Sequence, residues 1–137
     1  MAEKVIIRQN DKFENEIQSF TSEETGGEPQ LGEALTPYGM LLSGLGACTA
    51  IILHTYAQNH ALKLHEVTIE VTYDRSFPKD CENCETTDRY EETITESITL
   101  AGDLTQADRD KLLRIPHHCP IYKMLQHGIP VRSQLAA

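Results

Sequence analysis

Hydrophobic and polar residues follow distinct rhythms in different parts of this chain. From residue 40 to residue 53, MLLSGLGACTAIIL, every position is apolar or small, and Pro37 just before it suits a first helical turn, where its missing N–H is not needed. The stretch from Thr36 to His60 therefore predicts a helix apolar on all sides, which belongs at the centre of a fold. An apolar run of about 14 residues falls short of the roughly 17 to 25 that a membrane span requires. Elsewhere the rhythm has period two. In LHEVTIEVTYD, residues 64–74, Val67, Ile69, Val71 and Tyr73 share one face, with Thr68, Glu70 and Thr72 on the other. In YEETITESITL, residues 90–100, Ile94, Ile98 and Leu100 oppose Thr93, Thr95, Ser97 and Thr99. Both read as half-buried antiparallel strands. Glu96 falls on the apolar face of the second, a position that a sheet edge or a dimer seam explains better than catalysis.

The remaining segments complete the outline. KVIIR (residues 4–8) and FENEIQSF (13–20) flank the polar QNDK and predict a hairpin, while residues 21–35, rich in turn formers and acids, predict a loop. Thr105 caps a helix whose buried side carries Leu112 and Leu113. Pro116 ends that helix and Pro120 opens the last one, which makes Cys119 its N-cap and Gly128 its stop. Residues 129–133 predict a short strand whose Pro130 suits an edge. The order β-β-α-β-β-α-α-β indicates an α+β fold in which an antiparallel sheet wraps around a long buried central helix, one domain over residues 1–137.

Composition narrows the functions. Against 12 Lys and Arg stand 21 Asp and Glu, a formal net charge of -9 with no basic stripe, which argues against nucleic-acid binding. No charged-then-apolar leader and no spanning segment are present, so the expectation is a cytoplasmic protein that does not enter a membrane. With 6% aromatics and no Trp, the core is one that a partner subunit would extend. Four cysteines in such a chain point to redox chemistry or metal rather than a disulfide scaffold. No nucleotide-binding loop or GxSxG nucleophile motif occurs.

Cys48 lies in the apolar helix, where packing alone would account for it, because free cysteine is among the most buried residue types. Cys119 has a reason to react: unpaired N–H groups at a helix start stabilise a thiolate. The two segments TPYGMLLSGLGACTA and LLRIPHHCPIYKML together resemble the OsmC/Ohr family of thiol-dependent peroxidases, and its OsmC-like branch in particular. In that family a Pro-initiated, Leu-rich central helix ends in Gly-Ala-Cys-Thr-Ala or a close variant, and a Cys-Pro opens a short helix far downstream. The likeness extends from about residue 26 to residue 131.

The resemblance implies an intertwined homodimer with each site built from both chains. It makes Cys48 the peroxidatic cysteine and Cys119 the resolving one, although electrostatics alone would rank Cys119 the more acidic. An organic hydroperoxide would oxidise Cys48 to a sulfenic acid, Cys119 would condense with it to a disulfide, and a thiol or dithiol reductant would restore both. That cycle uses no cofactor. The family pairs its peroxidatic thiolate with an arginine from the N-terminal strands, and Arg8 is the candidate here. The carboxylate that holds this arginine in relatives is replaced at the helix start by Tyr38 or Gly39, leaving Glu28 or Glu33 as substitutes or the interaction absent.

Cys81 and Cys84 form a CxxC in an acidic loop. It supplies two of the four ligands of a structural zinc site, with His117, His118 or a dimer mate completing the set; a redox relay and an idle hairpin remain open. His54 should face away from Cys48, and His117, His118 and His127 read as turn or helix-end residues. The alternative to a peroxidase is a binding or sensor protein for apolar ligands on the same scaffold.

Overall fold

Period-two alternation folds here into one antiparallel sheet, and the apolar run lies across it as a helix. The computed structural model describes residues 2–21, 29–31, 36–76 and 91–136. Strands β1 (Ala2–Asn10), β2 (Asn15–Thr21) and β3 (Pro29–Leu31) come before helix α1 (Pro37–Asn59). After it come β4 (Lys63–Ser76), β5 (Glu91–Asp103), α2 (Gln106–Leu112), a 3₁₀ turn (Pro116–His118) and α3 (Pro120–His127). The sheet order is β3-β2-β1-β4-β5, so β5 is an edge.

The hairpin expected at the N-terminus is present. The Asn10 side-chain oxygen accepts from the Lys12 and Glu14 amides, each at 3.0 Å, and Phe13 turns the chain with φ 63°. Cross-strand register then stacks apolar rows on one face. Val5 sits opposite Val71, and Ile7 opposite Ile69, which in turn faces Ile98. Val5, Ile7, Val67, Ile69, Val71 and Tyr73 are all buried against α1.

The α1 helix starts as its residues dictate. The Thr36 hydroxyl accepts from the Gly39 amide at 3.0 Å and Pro37 occupies the first turn. Leu42, Leu45, Ala50, Leu53 and Ala57 face the sheet, each buried leucine contributing roughly 1.5–3 kcal/mol. Gly46 allows the closest approach, because a Cβ there would run into Ile7 Cδ1 and lie 3.0 Å from Val71 Cγ2. His54 is buried with Nε2 3.0 Å from the Gln9 carbonyl, away from Cys48 as its helical phase requires.

Several expectations are corrected. The helix is not enclosed on every side: Met40, Leu41 and Ile51 are exposed at 63%, 39% and 44%. At 23 residues with a mean hydropathy of 1.5 it is long and apolar enough to cross a membrane, yet half of its apolar window is buried inside the protein. Within the stretch read as a loop, β3 pairs with β2, Gln18 opposite Leu31. The strand expected over residues 129–133 is absent. Pro130 lacks a donor, no strand pairs with this segment among the described residues, and Ile129 and Val131 are left exposed. Leu112 is fully buried as expected, but Leu113, at the C-cap where the helix ends, is turned outward.

Candidate active site

Cys48 and Cys119, 71 residues apart in sequence, meet with their sulfurs 2.7 Å apart. Each arrives through local chemistry. Cys48 lies midway along α1 on the stripe Met40, Gly44, Cys48, Ile51, Thr55, whose other members are exposed while Cys48 itself is half-buried. Cys119 is delivered by the segment after β5. A capping box between Thr105 and Asp108 starts α2, buried Leu112 anchors it, and the turn that follows is closed by bonds from the His118 amide to the Ile115 carbonyl (2.9 Å) and from the Cys119 amide to the Pro116 carbonyl (3.0 Å). Cys119 is the N-cap of α3, fully buried, and its side chain makes no capping bond to its own helix. The sulfur faces Cys48 instead.

The helix-start amide anticipated for Cys119 acts on Cys48: the Ile121 N–H in the first turn of α3 favours the Cys48 thiolate. Opposing influences win. Burial, the hydrogen bond shared with Cys119, which holds the proton on Cys48, and the nearby charges of Cys119 and Glu96 push the Cys48 pKa up from 9.0 to about 11. Sequence reasoning missed Ile121 because a backbone donor carries no side-chain signature.

Arg8 is not brought to Cys48 within the protomer. It alternates with Ile7 and Gln9 along β1, so when those are buried under α1 it points to the other face of the sheet. There its guanidinium lies 3.2 Å from Glu66 and 3.8 Å from Glu16. Tyr38, which with Gly39 stands where the resemblance leads one to expect a carboxylate, stacks on Tyr73 with ring centroids 4.8 Å apart. Glu28, Glu33, Cys81 and Cys84 lie outside the described residues. Among the described residues no group of three or more His, Cys, Asp or Glu could hold a metal. His117 packs edge-on against Tyr122, centroids 5.2 Å apart.

One acidic side chain does reach the site. Glu96, opposite Val71 in the sheet, points toward α1, with both carboxylate oxygens buried and without a hydrogen-bond partner among the described residues. The adjacent Thr49 hydroxyl is likewise buried and unbonded. Burial pushes the Glu96 pKa up, and the nearby Thr49 hydroxyl tempers the shift. Glu96 also lines a groove of about 630 Å³ between β5 and the segment from α2 to α3. Its walls include Leu45, one turn before Cys48, together with Ile94, Ile98, Leu113 and Tyr122. Its chemistry suits an apolar molecule with one polar end, and it runs beside α1 one turn from Cys48 without either cysteine in its walls.

Comparison with known proteins agrees with this architecture. An OsmC-like hydroperoxide resistance protein from Jannaschia sp. CCS1 superposes with a TM-score of 0.69 at 15% identity, over 99% of this chain and 93% of that one. An organic hydroperoxide resistance protein OsmC from Legionella pneumophila gives a TM-score of 0.51 at 18% identity, over 93% of each chain. No curated protein matches. The family model described as OsmC-like protein matches residues 29–134, a span that contains both α1 with Cys48 and α3 with Cys119, and the chain therefore belongs to the OsmC-like family.

Proposed function

We propose that this protein is a thiol-dependent peroxidase that reduces organic hydroperoxides through a sulfenate and disulfide cycle between Cys48 and Cys119. The observation that carries the reading is the 2.7 Å approach of the two sulfurs. Cys48 attacks the terminal peroxide oxygen and becomes a sulfenic acid; Cys119 displaces water from it to give a disulfide; a thiol or dithiol in a reducing cytoplasm returns both thiols. The groove lined by Leu45, Ile94, Ile98 and Tyr122 favours a substrate with an apolar tail. The two superposed relatives, both called hydroperoxide resistance proteins, support the substrate class. The open apolar stripe along α1, on which Cys48 itself lies, supports a homodimer packed through that face.

One equivalent of alkyl hydroperoxide is expected to consume both thiols and leave a disulfide between Cys48 and Cys119, located by peptide mass mapping, and Cys48→Ser is expected to abolish turnover. Both thiols remaining free after treatment overturns the proposal. A binding protein for apolar ligands is the second reading, favoured by the raised Cys48 pKa and by an Arg8 engaged elsewhere. Retention of a bound fatty hydroperoxide without its reduction distinguishes it.

A further inference from the structure

A buried carboxylate with neither oxygen hydrogen-bonded is costly, and such a group has either a partner yet to arrive or a proton to carry. Glu96 is in that position, its oxygens buried on the wall of a groove that Leu45, one turn from Cys48, also lines, and it lies across the sheet from Val71, which packs against Gly46 of the same helix. We infer that Glu96 is a catalytic proton carrier, taking the proton that leaves Cys48 and delivering it to the alkoxide released when the peroxide bond breaks. The inference rests on the peroxidase reading above and adds a residue to it.

The step balances without any further reagent. The Cys48 thiol proton passes to the Glu96 carboxylate, and the thiolate attacks the terminal oxygen of the hydroperoxide. The S–O bond forms as the O–O bond breaks, so sulfur is oxidised by two electrons and the peroxide is reduced to the level of an alcohol. The departing alkoxide, a strong base, takes the proton held on Glu96, giving an alcohol and restoring the carboxylate. Burial that raises the proton affinity of Glu96 narrows the gap between it and the thiol, which assists the first transfer. The other titratable side chains on the groove wall are Glu92, His117 and Tyr122. Glu92 and His117 are exposed and Tyr122 is half-buried, whereas both carboxylate oxygens of Glu96 are buried.

Leaving-group chemistry separates this role from a structural one. An alkyl hydroperoxide expels an alkoxide that needs a proton, whereas a peracid expels a carboxylate that does not. In the whole chain, Glu96→Gln is expected to slow Cys48 oxidation by an alkyl hydroperoxide about 10²-fold and to slow oxidation by a peracid, which uses only the first of the two transfers, about tenfold less. Glu96→Asp, which keeps the acid, is expected to recover much of the loss with the alkyl substrate. Equal losses with both oxidants, or an undiminished alkyl hydroperoxide rate, overturn the inference. Equal losses would identify Glu96 as the seat of a cation from a second copy or as a packing residue. If the wild-type protein oxidises Cys48 with peracid yet leaves an alkyl hydroperoxide intact, the peroxidase reading falls and the inference falls with it.

Discussion

At the scale of single residues, Cys48 is the case where sequence and structure part most sharply. Its apolar surroundings were legible, but the balance acting on its sulfur was not, because that balance is set by groups distant in sequence: the Ile121 amide, Cys119 and Glu96. The folded protomer favours the neutral thiol. Alkylation of Cys48 by iodoacetamide, followed by mass mapping, should therefore be slow at neutral pH and rise about tenfold per pH unit until it levels near 11. Cys119→Ala removes the hydrogen bond and one of the charges that raise the value, so the midpoint should fall, yet stay above the ordinary 9.0 because burial, the largest cause, persists. Two other residues carried readable signals. Arg8 alternates with the inward Val5 and Ile7, so strand parity alone directs it away from the helix. Glu96 broke an apolar pattern, an irregularity that a sheet edge or a dimer seam explains, and β5 is an edge strand among the described residues.

Elements were far easier to read than the distances between them. Period-two and all-apolar rhythms gave the helix and four principal strands nearly at their true bounds, since each rhythm records which face is buried. The short β3 and the unpaired residues 129–133 were misassigned because pairing there depends on a neighbouring strand rather than on local pattern. Gly44 and Gly46, two of the three glycines of α1, separate these influences. An alanine at Gly46 gains about 0.5–1 kcal/mol of helix propensity but must displace Ile7 and Val71, and such overpacking typically costs about 1–3 kcal/mol. Gly46→Ala should thus lower the urea midpoint. At Gly44 a Cβ meets no atom within 4 Å in the protomer, so Gly44→Ala should raise the midpoint by the propensity gain alone. A loss there instead would show that a second copy brings its backbone against this side of the helix.

For the whole molecule, the exposed stripe of α1 decides how the site is finished. An apolar helix face carrying Met40, Leu41 and Ile51 is unfavourable in water, and Cys48 lies on the same stripe one turn from Ile51. Packing a second copy there would dry the surroundings of both cysteines and narrow the open side of the groove in one step, coupling assembly to reactivity. Ile51→Asp tests this directly. Because Ile51 is 44% exposed, the substitution should leave protomer stability within about 0.5 kcal/mol, as is usual for surface positions. In a dimer it would bury two unpaired carboxylates at the seam, a penalty of several kcal/mol. Light scattering should then report half the wild-type mass, and the rate of disulfide formation between Cys48 and Cys119 under alkyl hydroperoxide should fall together with the dimer fraction. A variant that keeps both mass and rate would mean that the stripe is solvent-facing in the working protein and that one protomer completes the chemistry by itself.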